Sequence, residues 1–240
     1  MRSNLYSLAV VALVISTFGC KPKVGELEGS VFIVTKGREN VKLGLVTVNL
    51  HDAKTARASV RSFLVQLETQ ANDVRVEATP LALSVQKLCA DAKPIADEYD
   101  ARPTASIRGR LEAKREEINK VTRDFNNKIE PLNRQVRNYE RLCYEAIRQP
   151  LASVKTDADG KFRVEMPRNG EFIITASTSR AVGNRSEEYI WVVSVSLEGK
   201  QRAQIFLSND NMMSSDSPES AIPKPSFQPL EPLKEMPPFR

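Results

Sequence analysis

A single histidine, His51, stands in a chain of 240 residues. Zinc sites and Ser–His or Cys–His pairs need several histidines, or one with a placed partner, so one His argues against both chemistries. Cysteine is equally sparse. Cys20, Cys89 and Cys143 lie far apart and form no C-x-x-C pair. No G-x-S-x-G, Walker loop or G-x-G-x-x-G occurs. The expectation is a protein that is not an enzyme and holds neither cofactor nor metal. A net charge of +5 is mild and points to solubility before nucleic acid.

One long apolar run is present, and it opens the chain. Arg2 precedes LYSLAVVALVIS (5–16), and small residues lead to Gly19-Cys20. A positive start, a short apolar core and small residues define a secretory signal over 1–19, too short to span a membrane as a mature helix. The Gly-Cys ending resembles a bacterial lipobox, which makes Cys20 the expected lipid-attachment residue and a membrane the expected partner. Thr17 departs from the aliphatic residue usual there. Ordinary cleavage, leaving a soluble exported protein, and an uncleaved anchor are the alternatives. The implied location is the cell membrane or outer membrane of a bacterium, facing the periplasm or the surface.

Beyond Cys20 the texture is β. Gly29–Thr35 and Lys42–Leu50 read as strands, as do 151–155, 162–166, 172–177, 189–197 and 202–207, seven in all. Asn169-Gly170 reads as a hairpin turn. Residues 20–51 and 151–209 would together form one β-sandwich. Between them, residues 52–150 are helical in pattern. Val60, Leu67, Val74, Leu81, Leu88 and Ile95 recur every seven residues, and Leu64, Ala71, Ala78, Val85, Ala92 and Tyr99 repeat the spacing. The phase passes through Pro80 and Pro94, which predicts bends in one helix and not ends.

A return helix carries Leu111, Ile118, Phe125, Leu132, Tyr139 and Ala146. Its second seam runs Ile107, Lys114, Val121, then slips by one residue to Ile129, Val136 and Cys143, beside Pro131. Folding the two antiparallel pairs Leu88 with Ile118, Leu81 with Phe125 and Val74 with Leu132, and places the turn at Pro103. In that register Cys89 and Cys143 sit roughly 39 Å apart, too far for a disulfide, and both are expected to be buried. Residues 210–240 hold seven of the fourteen prolines and are expected to be disordered or extended. The P-x-x-P at 229–232 is too short to name a partner.

Lys155–Phe162 (KTDADGKF), an alternating strand, Asn169-Gly170 and Phe172–Ala176 resemble the carboxypeptidase regulatory-like, or transthyretin-like, β-sandwich. Glu28–Phe32 is similar to that domain's first strand and Gly44–Val46 to its second. The whole chain then reads as α+β: a seven-stranded transthyretin-like sandwich interrupted by an antiparallel coiled-coil hairpin, with a signal peptide and a disordered tail. The resemblance implies a non-catalytic accessory or adhesion module of an uncharacterised bacterial lipoprotein group. Enzymes on related sandwiches need residues this chain lacks, namely two His and two Tyr for ring-cleaving dioxygenases, or several His and a terminal Tyr-Arg-Gly-Ser for ureide hydrolases.

Asp157-Ala158-Asp159-Gly160 could open a calcium loop, but Lys161, Phe162 and Arg168 occupy places where such a loop needs a ligand, a glycine and a bidentate glutamate. A tight turn is the favoured reading. Trp191 is expected in the core, and His51 as a polar junction residue. The basic residues Arg102, Arg108, Arg110, Lys114 and Arg115 cluster near the arm tip and are the candidate contact for a protein or envelope polymer; a solvated helix face is the plainer explanation. Lys114 and Lys128 mark seam positions where a partner's acid could dock if the arm oligomerises.

Overall fold

The computed structural model describes residues 23–213, 223 and 226–238. The expected signal segment and Cys20 lie outside the described residues. In chain order the elements are β1 Val24–Val34, β2 Asn40–Lys42, β3 Thr47–Asp52, α1 Ala53–Ala101, α2 Ala105–Arg137, α3 Tyr139–Ala146, β4 Ala152–Lys155, β5 Lys161–Pro167, β6 Phe172–Val182, β7 Arg185–Val195 and β8 Arg202–Leu207. A 3-10 turn, Asn209–Asn211, follows.

Eight strands among the described residues replace the expected seven, because the run from Lys42 to Leu50 is broken at Leu45, whose φ is 59°. β2 stays beside β1, whereas β3 crosses to the other sheet. In the first sheet β1 pairs antiparallel with β5 and parallel with β8, and its end carries β2. The second sheet is antiparallel in the order β4-β3-β6-β7.

The two sheets share one core. Leu27, Val31, Phe162, Val164 and Met166 face Val48, Leu50, Ile174, Ala176 and Trp191. Trp191 is fully buried and its Nε1–H donates to the Ser208 carbonyl at 2.9 Å, so the indole is a core residue, as expected. The second sheet is covered on its outer face too. Ile173 and Val192 pack there against Ala53, Ala56 and Val60 of α1, Cys143 of α3, and Ile147. That double burial is why FIIT and WVV read as unbroken apolar runs.

The tight turn expected at Asp157–Gly160 and the hairpin expected at Asn169-Gly170 both carry the chain from one sheet to the other. Strands β4 and β5, joined by Asp157–Gly160, belong to different sheets, as do β5 and β6, joined across Asn169-Gly170. At the first crossing Asp157 Oδ1 accepts from the amides of Asp159 (2.9 Å) and Lys161 (2.8 Å), and Gly160 takes φ +74°. The side-chain cap and the left-handed glycine make the turn. The close β-hairpin of the second sheet is β6–β7, turning at Gly183-Asn184.

Helix α1 begins directly where β3 ends, with Asp52 capping the amide of Thr55 at 2.8 Å. It runs 49 residues without interruption through Pro80 and Pro94, about 73 Å at 1.5 Å per residue. Arg102 ends it, and Thr104 caps α2. Val74 packs in one cluster with Leu132, and Leu81 in another with Phe125, the register expected from the sevens. Cross-helix ion pairs agree, Glu77 with Lys128 at 2.7 Å and Glu98 with Arg110 at 3.1 Å. Pro131 lies inside α2, and Ile129, Val136 and Cys143, the seam expected beyond the slip, are buried; the helix breaks later, at Asn138, and α3 follows.

Cys143 is buried as expected, and burial, helped by the charge of Glu140, pushes its thiol up to about 12. Cys89 is exposed on α1, contrary to expectation, because its place falls one residue outside the seam. Both are free thiols.

His51 is buried on the helix-covered face of the second sheet, with Nε2 3.0 Å from Thr175 Oγ1. Burial lowers its pKa, with the Arg148 backbone opposing more weakly. The unfolded chain therefore binds a proton that the folded chain resists, and stability falls as pH drops below about 6.5. Thermal melts between pH 7.5 and 5.5 should show that decline, and His51→Gln should flatten it. A Cβ on Gly160 would sit 2.5 Å from the Val31 carbonyl oxygen in a left-handed backbone. Gly160→Ala should cost roughly 2 kcal/mol or more by urea unfolding.

Candidate peptide-binding groove

Asn119, Asn126 and Asn133 are spaced seven apart on α2. At 100° per residue that spacing draws a nearly straight line along one helix face, beside the apolar seam of Ile118, Phe125, Ile129 and Leu132. Toward the tip the next place is the acid Glu112, and toward the base α2 ends at Asn138 before a further place is reached.

A partner for this line comes from the proline-rich end of the same chain. Residues 226–238 are extended and lie in the groove between α1 and α2, so the disorder expected there does not hold for them. Phe227 packs on Leu67, Ala71, Leu132 and Val136, and Leu230 and Leu233 pack on Ala78, Phe125 and Ile129. The segment thus runs outward from the arm base, parallel to α1. Phe227, Leu230, Leu233 and Met236 are half-buried, while every residue between them is exposed. That three-residue period is the signature of a polyproline II strand laying one edge into a groove.

Each asparagine grips one tail residue by its main chain. The Nδ2 of Asn133 donates to the Leu230 carbonyl at 2.8 Å, and its Oδ1 accepts from the Leu230 amide at 3.0 Å. Asn126 holds Leu233 in the same way, both bonds at 2.9 Å. Asn119 holds Met236 at 3.1 and 2.8 Å. A side-chain amide carries a donor and an acceptor side by side, so it can substitute for the rung of a β-ladder. The gripped residues must supply an N–H, which proline lacks. Accordingly Pro229, Pro232, Pro237 and Pro238 take other places, where they hold the residues before them extended. Seven helical residues rise about 10.5 Å and three polyproline II residues about 9.3 Å, close enough to keep the two series in step.

Two polar contacts flank the ladder: Ser226 Oγ with Glu68 at 3.1 Å, and an exposed ion pair of Arg123 with Glu235 at 3.3 Å. Thr122 lies on α2 between the asparagine line and the apolar seam. It is fully buried, and its hydroxyl has no partner among the described residues.

Three of the five basic residues singled out at the arm tip pair with acids of the same chain. Arg110 pairs with Glu98, Lys114 with Glu117 and Arg115 with Glu112, all within 3.1 Å. Arg102 caps the end of α1 through its backbone, and Arg108 is exposed. Lys114 and Lys128, read as docking points for a partner's acid, have their acids within the chain, Glu117 and Glu77. Elsewhere an open cleft of about 510 Å³ borders β1 and β5, lined by Glu28, Lys155, Asp157, Lys161 and Arg163. There Arg163 is already engaged by Glu26 and Glu28, each at 2.9 Å. Among the described residues no group of three metal-ligating side chains forms.

No protein-family model and no curated protein matches the chain. A solved structure from Pseudomonas aeruginosa, titled a "putative carbohydrate binding protein", aligns at 11% identity over 78% of this chain and 90% of its own. Its TM-score is 0.30, a likeness too slight to define fold or ligand.

The ladder has a distinctive signature in hydrogen exchange. Amides of Leu230, Leu233 and Met236 should be protected while those of Glu231, Lys234 and Glu235 exchange freely, a period of three along the tail. Asn126→Ala should speed exchange at Leu233 by roughly tenfold or more, the equivalent of about 1.4 kcal/mol. Uniformly fast exchange in the unaltered chain would refute the docking.

Proposed function

We propose that the chain is a non-catalytic binding module of the bacterial cell envelope. It is exported and held to a membrane by lipid on Cys20, and its helical arm contacts the partner. Anchorage in this reading rests on the lipid; among the described residues no helix is long and apolar enough to cross a membrane. The transthyretin-like resemblance of the two-sheet unit belongs to the same proposal. The observation that carries it is the groove, where three side chains are committed to the main chain of an extended segment.

A second reading is an assembly or sensor subunit that oligomerises through the arm. Val65, Val76 and Leu83 favour it, being 56%, 73% and 58% exposed and aligned on one face of α1. Monodispersity unaffected by Val76→Asp with Leu83→Asp would set that reading aside.

Cys20→Ser should abolish labelling by radioactive palmitate and move the protein from the membrane fraction to the soluble fraction. Membrane retention without change would overturn the lipid anchor. A photo-crosslinker at position 103 should capture a specific neighbour in cells, and its failure to do so would count against a partner-contacting arm.

A further inference from the structure

The tail that fills the groove is bound by features that do not depend on which tail it is. Asn119, Asn126 and Asn133 touch only N–H and C=O groups, and these are common to every non-prolyl residue. Side-chain selection is confined to four half-buried places spaced by three. Recognition of this kind is a main-chain grip with apolar pockets at a fixed repeat, the logic by which extended peptides are bound elsewhere.

The hold on this particular tail is modest. Its ion pair of Glu235 with Arg123 is exposed, with side chains 45% and 47% accessible, and such pairs contribute little. Ordering an extended segment costs about 1–2 kcal/mol per residue in the backbone, reduced where proline has already restricted it. What favours the tail is tethering, since residues 214–225 connect it to the sheets and turn its binding into an intramolecular event.

We propose that the groove is a recognition site for extended, proline-spaced segments of another polypeptide, with apolar residues at every third place, and that the chain's own tail occupies it in cis as a displaceable cover. This rests on the binding-module reading and gives it a partner class. Gripped positions must be non-prolyl, and prolines are accepted directly before or after them. The cover lowers the apparent affinity of any competitor by the fraction of time the tail is docked.

The test uses the full chain and a labelled peptide of sequence SFQPLEPLKEMPP, residues 226–238. Leu230→Asp with Leu233→Asp alters only the tail, ejecting it while the groove keeps every residue. The ejected chain should bind the peptide at least tenfold more tightly than the unaltered chain. Adding Asn126→Ala should weaken that binding tenfold or more. A peptide N-methylated at the position of Leu233 should fail, whereas one with leucine at all four groove positions, the prolines kept and the other residues between replaced, should bind within tenfold of the original. Equal binding by the ejected and unaltered chains, or none by an ejected chain of unchanged helicity, would overturn the proposal. So would loss of helicity on ejection, since the tail would then be a structural strand of the arm. Binding is read on purified protein, so its failure leaves the Cys20 and crosslinking results standing, and theirs leaves it.

Discussion

Everything outside the two-sheet core depends on the second sheet having two apolar faces. Phe172, Ile174 and Trp191 face the first sheet, while Ile173 and Val192, one residue out of phase, face the helices. Because β3 passes into α1 with no intervening loop, this contact fixes the direction in which the arm leaves. The return is secured on the same face by Cys143 and Ile147. A free sheet face would leave the hairpin hinged at both ends; packed, it is a rigid outrigger. Residues 65–101 extend it about 55 Å past the last helical residues that touch the sheet cluster.

That reach creates surface that the sheets have no use for. Two antiparallel helices bury one seam against each other and leave a groove on each side. On one side the groove holds a line of amide side chains and a segment of the same chain. The alanines at 71 and 78, where a larger side chain would fill the space, are buried beside it. Small residues on α1 and asparagines on α2 therefore act together, one making room and the other supplying directional bonds.

Much of this was legible in the sequence. The sevens from Val60 to Ile95 predict the long helix through two prolines, and the pairing of Leu81 with Phe125 sets the turn at Pro103, both found in the structure. Strand order was less accessible. Asp157–Gly160 and Asn169-Gly170 carry the residue types of hairpin turns, yet local turn chemistry says how sharply the chain bends and nothing of which sheet it enters. The break at Asn138 was not anticipated, since the sevens run on through Tyr139 and Ala146. The groove left two traces, an asparagine every seventh residue and an apolar residue every third in the tail. Either alone is unspecific, and proline content draws the reading toward disorder. Only their joint ratio, seven to three, identifies them as two sides of one contact.

That ratio also sets the length of the site. Each rung advances about 10.5 Å on the helix and about 9.3 Å on the strand, so the two series drift by roughly 1 Å per rung. Over three rungs the accumulated offset is near 2.5 Å, within what rotation of an asparagine side chain and slight straightening of the strand can absorb. A fourth rung would strain bonds whose useful range is only about 2.7–3.2 Å. The sequence respects that limit. Toward the tip the next step is Glu112, which when ionised accepts hydrogen bonds but cannot donate to a carbonyl; toward the base α2 ends at Asn138 before the next step is reached. The groove is thus a bounded site three rungs long, matched to a segment of about ten residues, and not an open-ended track along the arm.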